Sequence, residues 1–130
     1  MPNKKLILVT GATGYVGGRL VPKLLEAGYR VRCLVRDPSR LQGRVWLNKV
    51  EVVKGDALYP DQISKAMQDV SIAYYLMHGM QGGKVNAERD LQVARNFTYA
   101  AEEAGIERII YFGELVDPTA HLSPYLRARH

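Results

Sequence analysis

Two periods alternate along this chain. Short unbroken apolar runs are followed by stretches in which apolar residues return every third or fourth position. Lys5 to Val9 has the composition of a buried strand. Tyr15 to Ala27 places Val16, Leu20, Leu24 and Ala27 on one helical face, and Gly28 is suited to the position just past the helix end. Pro22 lies inside that helix, removes the hydrogen bond to the Gly18 carbonyl and is expected to bend it; Gly18, with no side chain, adds no crowding. Arg30 to Val35 reads as a second strand and Val50 to Val53 as a third. Pro60 opens a helix with Ile63, Ala66, Met67 and Val70 at i, i+3, i+4 and i+7. "SIAYYLM" is a fourth strand. A long helix over Val85 to Ala104 follows, with Leu91, Ala94, Phe97 and Ala101 as its buried stripe and Gly105 as its end. "RIIYF" is a fifth strand, and "SPYLRARH" begins a further helix.

Strand and helix alternate with connections too long for hairpins. This predicts an α/β fold: a parallel sheet covered on both faces and doubly wound in the Rossmann manner, with strand order 3-2-1-4-5. The 130 residues suffice for one domain and are too few for two ordinary ones, so residues 1–130 are read as a single unit.

Between the first strand and the first helix runs "TGATGYVGG", with four glycines in nine positions. A turn this tight uses backbone angles that glycine tolerates. Gly14 is expected to let backbone N–H groups approach a pyrophosphate, and Gly17 to let the helix pack near the strand. The helix N-terminus offers its positive end to phosphate. The strand before, the helix after and a second strand at the right distance supply the context a glycine pattern needs.

Composition narrows the picture without redirecting it. Hydrophobic residues make up 47% and charged residues 24%, a globular balance. Cys33 is the one cysteine, which excludes an internal disulfide or a cluster of metal-binding cysteines and fits a reducing compartment, so a cytoplasmic location is expected. Cys33, Trp46 and the Tyr74–Tyr75 pair read as packing residues. The apolar run of the N-terminus breaks at Thr10–Gly11, too soon for a signal peptide, and no stretch reaches the ~20 apolar residues of a membrane span. The net charge is +5, but the basic residues are scattered, which argues against nucleic acid. The histidines at 78, 121 and 130 have no ligand spacing, so no metal site is expected. No Walker lysine follows the glycine loop, and Thr10 stands where a methyltransferase would have an acidic residue.

The spacing TGxxGxxG resembles the short-chain dehydrogenase/reductase superfamily, and in particular its atypical NmrA-like, nucleoside-diphosphate-sugar epimerase-like branch. "LVTGATGYVGGRLVPKLLEAGYRVRCLVRDPSRL", "VEVVKGDAL", "AYYLMHGM" and "LSPYLRARH" match that branch in order. The resemblance implies an NAD(P)-binding domain. It implies that Thr10, Gly11, Ala12, Thr13, Gly14, Tyr15, Val16 and Gly17 form the dinucleotide loop, that Asp56 and Ala57 face the adenine, and that Leu76, Met77 and His78 line the cofactor. After the second strand comes Val35-Arg36-Asp37-Pro38. Val35 stands where NAD-preferring members are acidic, Arg36 suits a 2′-phosphate, and Asp37 before proline suits a helix cap. NADP is the expected cofactor, with NAD left open; Arg40 is read as a solvated residue.

Catalytic members of the superfamily use a Tyr-x-x-x-Lys pair and a Ser or Thr ending the fifth strand. Here Tyr125 and Arg129 stand at the corresponding places, and Gly113 and Glu114 stand where the serine would be. Arginine keeps the charge of lysine but not its geometry. The catalytic set is therefore incomplete. Family members continue past this point into a substrate-binding part, so the chain is read as the N-terminal part of a longer fold. It is expected to bind a dinucleotide without turning over substrate, and to self-associate through an uncovered fifth strand. Three readings follow: the cofactor domain of an NADP-dependent oxidoreductase or epimerase-like enzyme, a non-catalytic NAD(P)-sensing regulator of the NmrA kind, and a structural or assembly subunit that keeps the fold for packing.

Overall fold

The structure is a computed structural model that describes residues 5–76, 80–81, 84–85 and 87–111. Among the described residues five parallel strands form the sheet: β1 (Leu6–Thr10), β2 (Arg30–Val35), β3 (Glu51–Lys54), β4 (Ile72–Tyr75) and β7 (Arg108–Tyr111). Their order is β3-β2-β1-β4-β7, the doubly wound 3-2-1-4-5 order. Three helices connect them: α1 (Tyr15–Glu26), α2 (Pro60–Ala66) and α3 (Ala87–Ala104). Two short strands, β5 (Met80–Gln81) and β6 (Lys84–Val85), pair antiparallel on their own, so Val85 belongs to a strand and α3 begins at Ala87, two residues later than the sequence suggested.

The unbroken apolar run of β1 follows from burial on both faces. Successive side chains of a strand point to opposite faces. Leu6 and Leu8 join Ile63, Met67 and Phe97 beneath α2 and α3. Ile7 and Val9 join Val21, Leu24, Cys33 and Trp46 on the α1 side. Cys33 is fully buried, and desolvation pushes its thiol up to about 12, so it is a core residue and not a nucleophile.

Several boundaries differ from those read in the sequence. β1 and β3 each begin and end one residue later than read, and β3 pairs with the last four residues of β2, Arg32 to Val35. α1 buries Gly17, Val21 and Leu24, while Val16 and Leu20 flank this stripe and Ala27 is an exposed cap. Beyond it Gly28, at φ +94°, and Tyr29 donate back to Leu25 and Leu24, which closes the helix. α1 runs unbroken through Pro22.

α2 ends at Ala66, so Val70 is buried from the following turn and not from the helix. In α3, Leu91 is 49% exposed and Asn96 is buried. At about 100° per residue the two lie on opposite flanks of the Ala94–Phe97–Ala101 stripe. The helix is turned so that the Asn96 flank faces inward, which corrects the reading of Leu91 as core.

Candidate functional site

The strand order reverses between β2 and β4 on either side of β1. In open parallel sheets, ligands sit at such a switch point, beyond the carboxyl ends of the strands. Three segments emerge there: the glycine loop after β1, Arg36–Asp37 after β2, and Gly55 to Leu58 after β3.

The loop is built from below. The Thr10 hydroxyl is fully buried and donates to the Tyr74 carbonyl at 2.8 Å, tying β1 to β4. Ala12 is buried in the core on the α1 side. These two residues support the loop, and their side chains are not offered to a ligand. Gly11 has φ +89°, and a Cβ there would meet Leu76 at 3.0–3.2 Å, so glycine is required twice over. The Gly14 N–H donates to the Gly11 carbonyl at 3.1 Å and closes the turn, so it does not itself face outward.

Gly17 makes the closest approach, though to the loop and not to the strand. A Cβ there would lie 2.3 Å from the Gly11 carbonyl oxygen and 2.7 Å from the Ala12 Cα. The helix is thereby seated on the loop. The first intrahelical acceptor is Gly14, which takes the Gly18 N–H. The N–H groups of Tyr15, Val16 and Gly17 have no acceptor among the described residues. The first turn of α1 carries no acidic side chain to fill that role. Three donors at a helix N-terminus form an anion cradle. Tyr15 is 76% exposed at its rim, with the Arg19 guanidinium 5.1 Å from its ring centroid.

Arg36 is exposed and has no hydrogen-bond or ion-pair partner among the described residues. Asp37 next to it is already engaged. Its carboxylate accepts from the Ser39 N–H at 3.1 Å and the Ser39 hydroxyl at 2.7 Å, capping the short 3-10 helix Pro38–Leu41. Those bonds to Ser39, with lesser help from Arg40 and Lys54, hold the Asp37 carboxyl below the usual range. The capping role expected for Asp37 is the one it has.

The Asp56 carboxylate accepts from the Leu58 N–H at 2.9 Å and lies 3.7 Å from Arg89 at the start of α3. The Gln62 side chain accepts from the Asp56 N–H at 2.7 Å. Leu76 closes the floor of the site and donates its N–H to the Thr10 carbonyl. Met77, His78, Tyr125 and Arg129 lie outside the described residues.

The sequence reading missed four contributors. Arg44 donates to the Thr13 carbonyl at 3.3 Å and lies beside Gly18. Gln62 and Arg89 hold the Asp56 turn, and Asn96 donates to the carbonyls of Ala57 and Leu58. A buried asparagine between Ala94 and Phe97 was the available signal, since a buried amide needs partners.

An open cleft of about 760 Å³, lined by Tyr29, Trp46, Lys49 and Glu51 among others, lies at the amino ends of β2 and β3, away from the glycine loop. Among the described residues no group of three His, Cys, Asp or Glu side chains is placed to hold a metal ion, and no helix is long and apolar enough to cross a membrane.

A glycine-rich anion cradle at the switch point of a doubly wound parallel sheet defines a dinucleotide-binding protein of the Rossmann type. The chain belongs to the NAD(P)H-binding family, whose sequence profile matches residues 11–123. It is 30% identical over 115 residues to a 3-beta-hydroxysteroid dehydrogenase of Mycolicibacterium neoaurum, a match covering 81% of this chain and 31% of that protein. It is 30% identical over 112 residues to the photosystem II assembly factor Ycf39 of Guillardia theta, covering 84% of this chain and 35% of that protein. The triphenylmethane reductase of Citrobacter sp., solved with NADP(H), superimposes with a TM-score of 0.74 at 27% identity, covering 94% of this chain and 44% of that one. The chain thus spans about a third of the length of these curated relatives. These likenesses place it among the NAD(P)H-binding proteins of Rossmann fold, without singling out the NmrA-like branch.

Proposed function

We propose that this chain is the cofactor domain of an NADP-preferring oxidoreductase. The observation that carries the reading is the pairing of Arg36, exposed and with no partner among the described residues, with Asp37, whose carboxylate is tied to Ser39. A ribose 2′-hydroxyl calls for a carboxylate at this place and a 2′-phosphate for a cation; both Ser39 bonds end on Asp37 Oδ1, which holds that carboxylate in its capping orientation and leaves Oδ2 as the competing acceptor. The pyrophosphate would lie on the N–H groups of Tyr15, Val16 and Gly17. The adenine would lie against Asp56 and Ala57, where a carboxylate acceptor stands beside an N–H that has no acceptor among the described residues. Adenine presents the complementary pair, N6–H donor beside N1 acceptor. Leu76, Met77 and His78 would line the nicotinamide side. The NADP(H)-bound triphenylmethane reductase and the hydroxysteroid dehydrogenase, both oxidoreductases by name, support the reading.

Calorimetric titration of the wild type and Arg36→Ala with NADPH and NADH tests it. A charge-assisted hydrogen bond to the 2′-phosphate is worth roughly 1.5–3 kcal/mol. The wild type should therefore prefer NADPH on the order of tenfold to a hundredfold. Arg36→Ala should remove most of that preference and leave NADH affinity nearly unchanged. Equal binding of the two by the wild type, or equal weakening of both in the variant, would refute the clamp.

In this reading Tyr125, with Arg129 in place of the usual lysine, is the proton donor. The second reading, a non-catalytic NAD(P)-sensing regulator of the NmrA kind, draws on that same substitution and on Gly113 and Glu114 at the place of the serine. The likeness to an assembly factor keeps a third, structural, reading in view. Turnover assays on the whole protein with NADPH separate the first from the other two.

We further propose that the β7 edge pairs with a second copy. Among the described residues β7 pairs with β4 alone, and Ile109 and Ile110 are partly buried on it. Sedimentation should show a dimer that grows with concentration; a strictly monomeric profile at high concentration counts against pairing.

A further inference from the structure

We propose that Asn96 is a positioning residue for the adenine end of the dinucleotide, acting through the Asp56–Leu58 turn; the inference rests on the cofactor reading above. Asn96 belongs to α3, 39 residues from Ala57 along the chain, and the residue is 7% exposed. Its Nδ2 donates to the Ala57 carbonyl at 2.9 Å and to the Leu58 carbonyl at 2.9 Å. Its Oδ1 accepts from Gln92, one turn earlier on the same helix, at 2.8 Å. Carbonyl oxygens only accept, so the two of them require the NH2 face of the amide, and Gln92 completes the assignment from the other side.

The polar groups of the turn can be counted one by one. The Asp56 N–H donates to Gln62, and the Asp56 carbonyl accepts from the Tyr59 N–H at 3.0 Å. The Leu58 N–H donates to the Asp56 carboxylate. Asn96 takes the two remaining carbonyls. One backbone group is left, the Ala57 N–H, which has no acceptor among the described residues. Asn96 therefore fixes the Ala57–Leu58 and Leu58–Tyr59 peptide planes; their N–H groups hold the Asp56 carboxylate and the Asp56 carbonyl, and the latter sets the Asp56–Ala57 peptide that carries the one donor left without an acceptor among the described residues. Without it, two carbonyls beneath the turn are orphaned. The cheapest remedy is rotation of those peptides toward water, which moves the Asp56–Ala57 donor–acceptor pair.

Titration of the full chain with NADPH and with its hypoxanthine analogue tests the inference. The analogue carries hydrogen on N1 and oxygen on C6, reversing both polar groups that the turn would meet. The wild type should prefer NADPH on the order of tenfold or more. Asn96→Ala should bring that preference close to unity and leave the NADPH-to-NADH ratio unchanged, because Arg36 is untouched. Gln92→Met, at an exposed position, should lower the preference in the same direction by less. A folded Asn96→Ala that keeps the full preference for adenine overturns the inference. So does a variant that weakens NADPH and the analogue alike, since loss of structure alone has that signature. If Asn96→Ala does not fold, an undiminished preference in Gln92→Met overturns it instead. Failure of the wild type to bind NADPH overturns the cofactor reading and this inference with it, whereas wild-type binding with an insensitive Asn96 variant overturns this inference alone.

Discussion

Gly17→Ala should abolish dinucleotide binding and destabilise the fold together. The added methyl would sit 2.3 Å from the Gly11 carbonyl oxygen and 2.7 Å from the Ala12 Cα. Both neighbours are backbone and cannot swing aside. Either α1 lifts from the loop or the loop moves, and each outcome displaces the Tyr15, Val16 and Gly17 N–H groups from their common focus. Overpacking of this kind costs roughly 1–3 kcal/mol, and more where nothing yields. Loss of two or more charge-assisted hydrogen bonds to phosphate should weaken binding on the order of a hundredfold or more.

Gly18→Ala is the internal control. A methyl there meets the Arg44 side chain first, at an ordinary 3.6 Å, so crowding is not what calls for glycine at this position. Alanine in a helix interior is favoured over glycine by roughly 0.5–1 kcal/mol, so Gly18→Ala should be neutral or stabilising and should still bind NADPH. Urea unfolding and calorimetry on the two variants read both effects. A Gly17→Ala protein that binds NADPH like the wild type would show that the close seating of helix on loop is not what holds the cradle.

Phe97→Ala should cost about 3–5 kcal/mol of stability, the range for truncating a fully buried aromatic. Phe97 is 0% exposed and meets Tyr75 edge to face at 4.8 Å between centroids, with Tyr111 tilted at 6.5 Å. It is the point at which α3 is fastened to β4 and β7. That cost is a large part of the marginal stability of a domain this size, so the variant is expected to be partly unfolded at 37 °C. Because Phe97 adjoins Asn96, the loss should also loosen the Asp56 turn, and Phe97→Leu should recover much of the stability. Chemical denaturation with an unchanged m-value checks the prediction. A loss below about 1.5 kcal/mol would mean that the site collapses around the missing ring far better than a close-packed core does.

The sequence by itself determined the parallel sheet, its order and the place of the glycine loop. These depend on local period and on backbone chemistry that glycine and proline carry wherever they stand. An apolar run such as Leu6–Val9 has to be buried on both faces, and a Gly11-x-x-Gly14-x-x-Gly17 loop between strand and helix has little else to do than approach a ligand or its own chain. Asp37 was legible as a cap because the capping contact spans two residues. The remainder depended on contacts between residues far apart in the chain, for which periodicity has no information. The sequence left open which glycine is crowded by backbone and which merely sits beside a movable arginine. It left open that Gly14 closes the turn while Tyr15, Val16 and Gly17 provide the donors. The same limit put Leu91 in the core and overlooked Asn96. Hydrophobicity places a helix face to within one flank, and a pair of backbone carbonyls 38 and 39 residues earlier in the chain decided which flank turned inward.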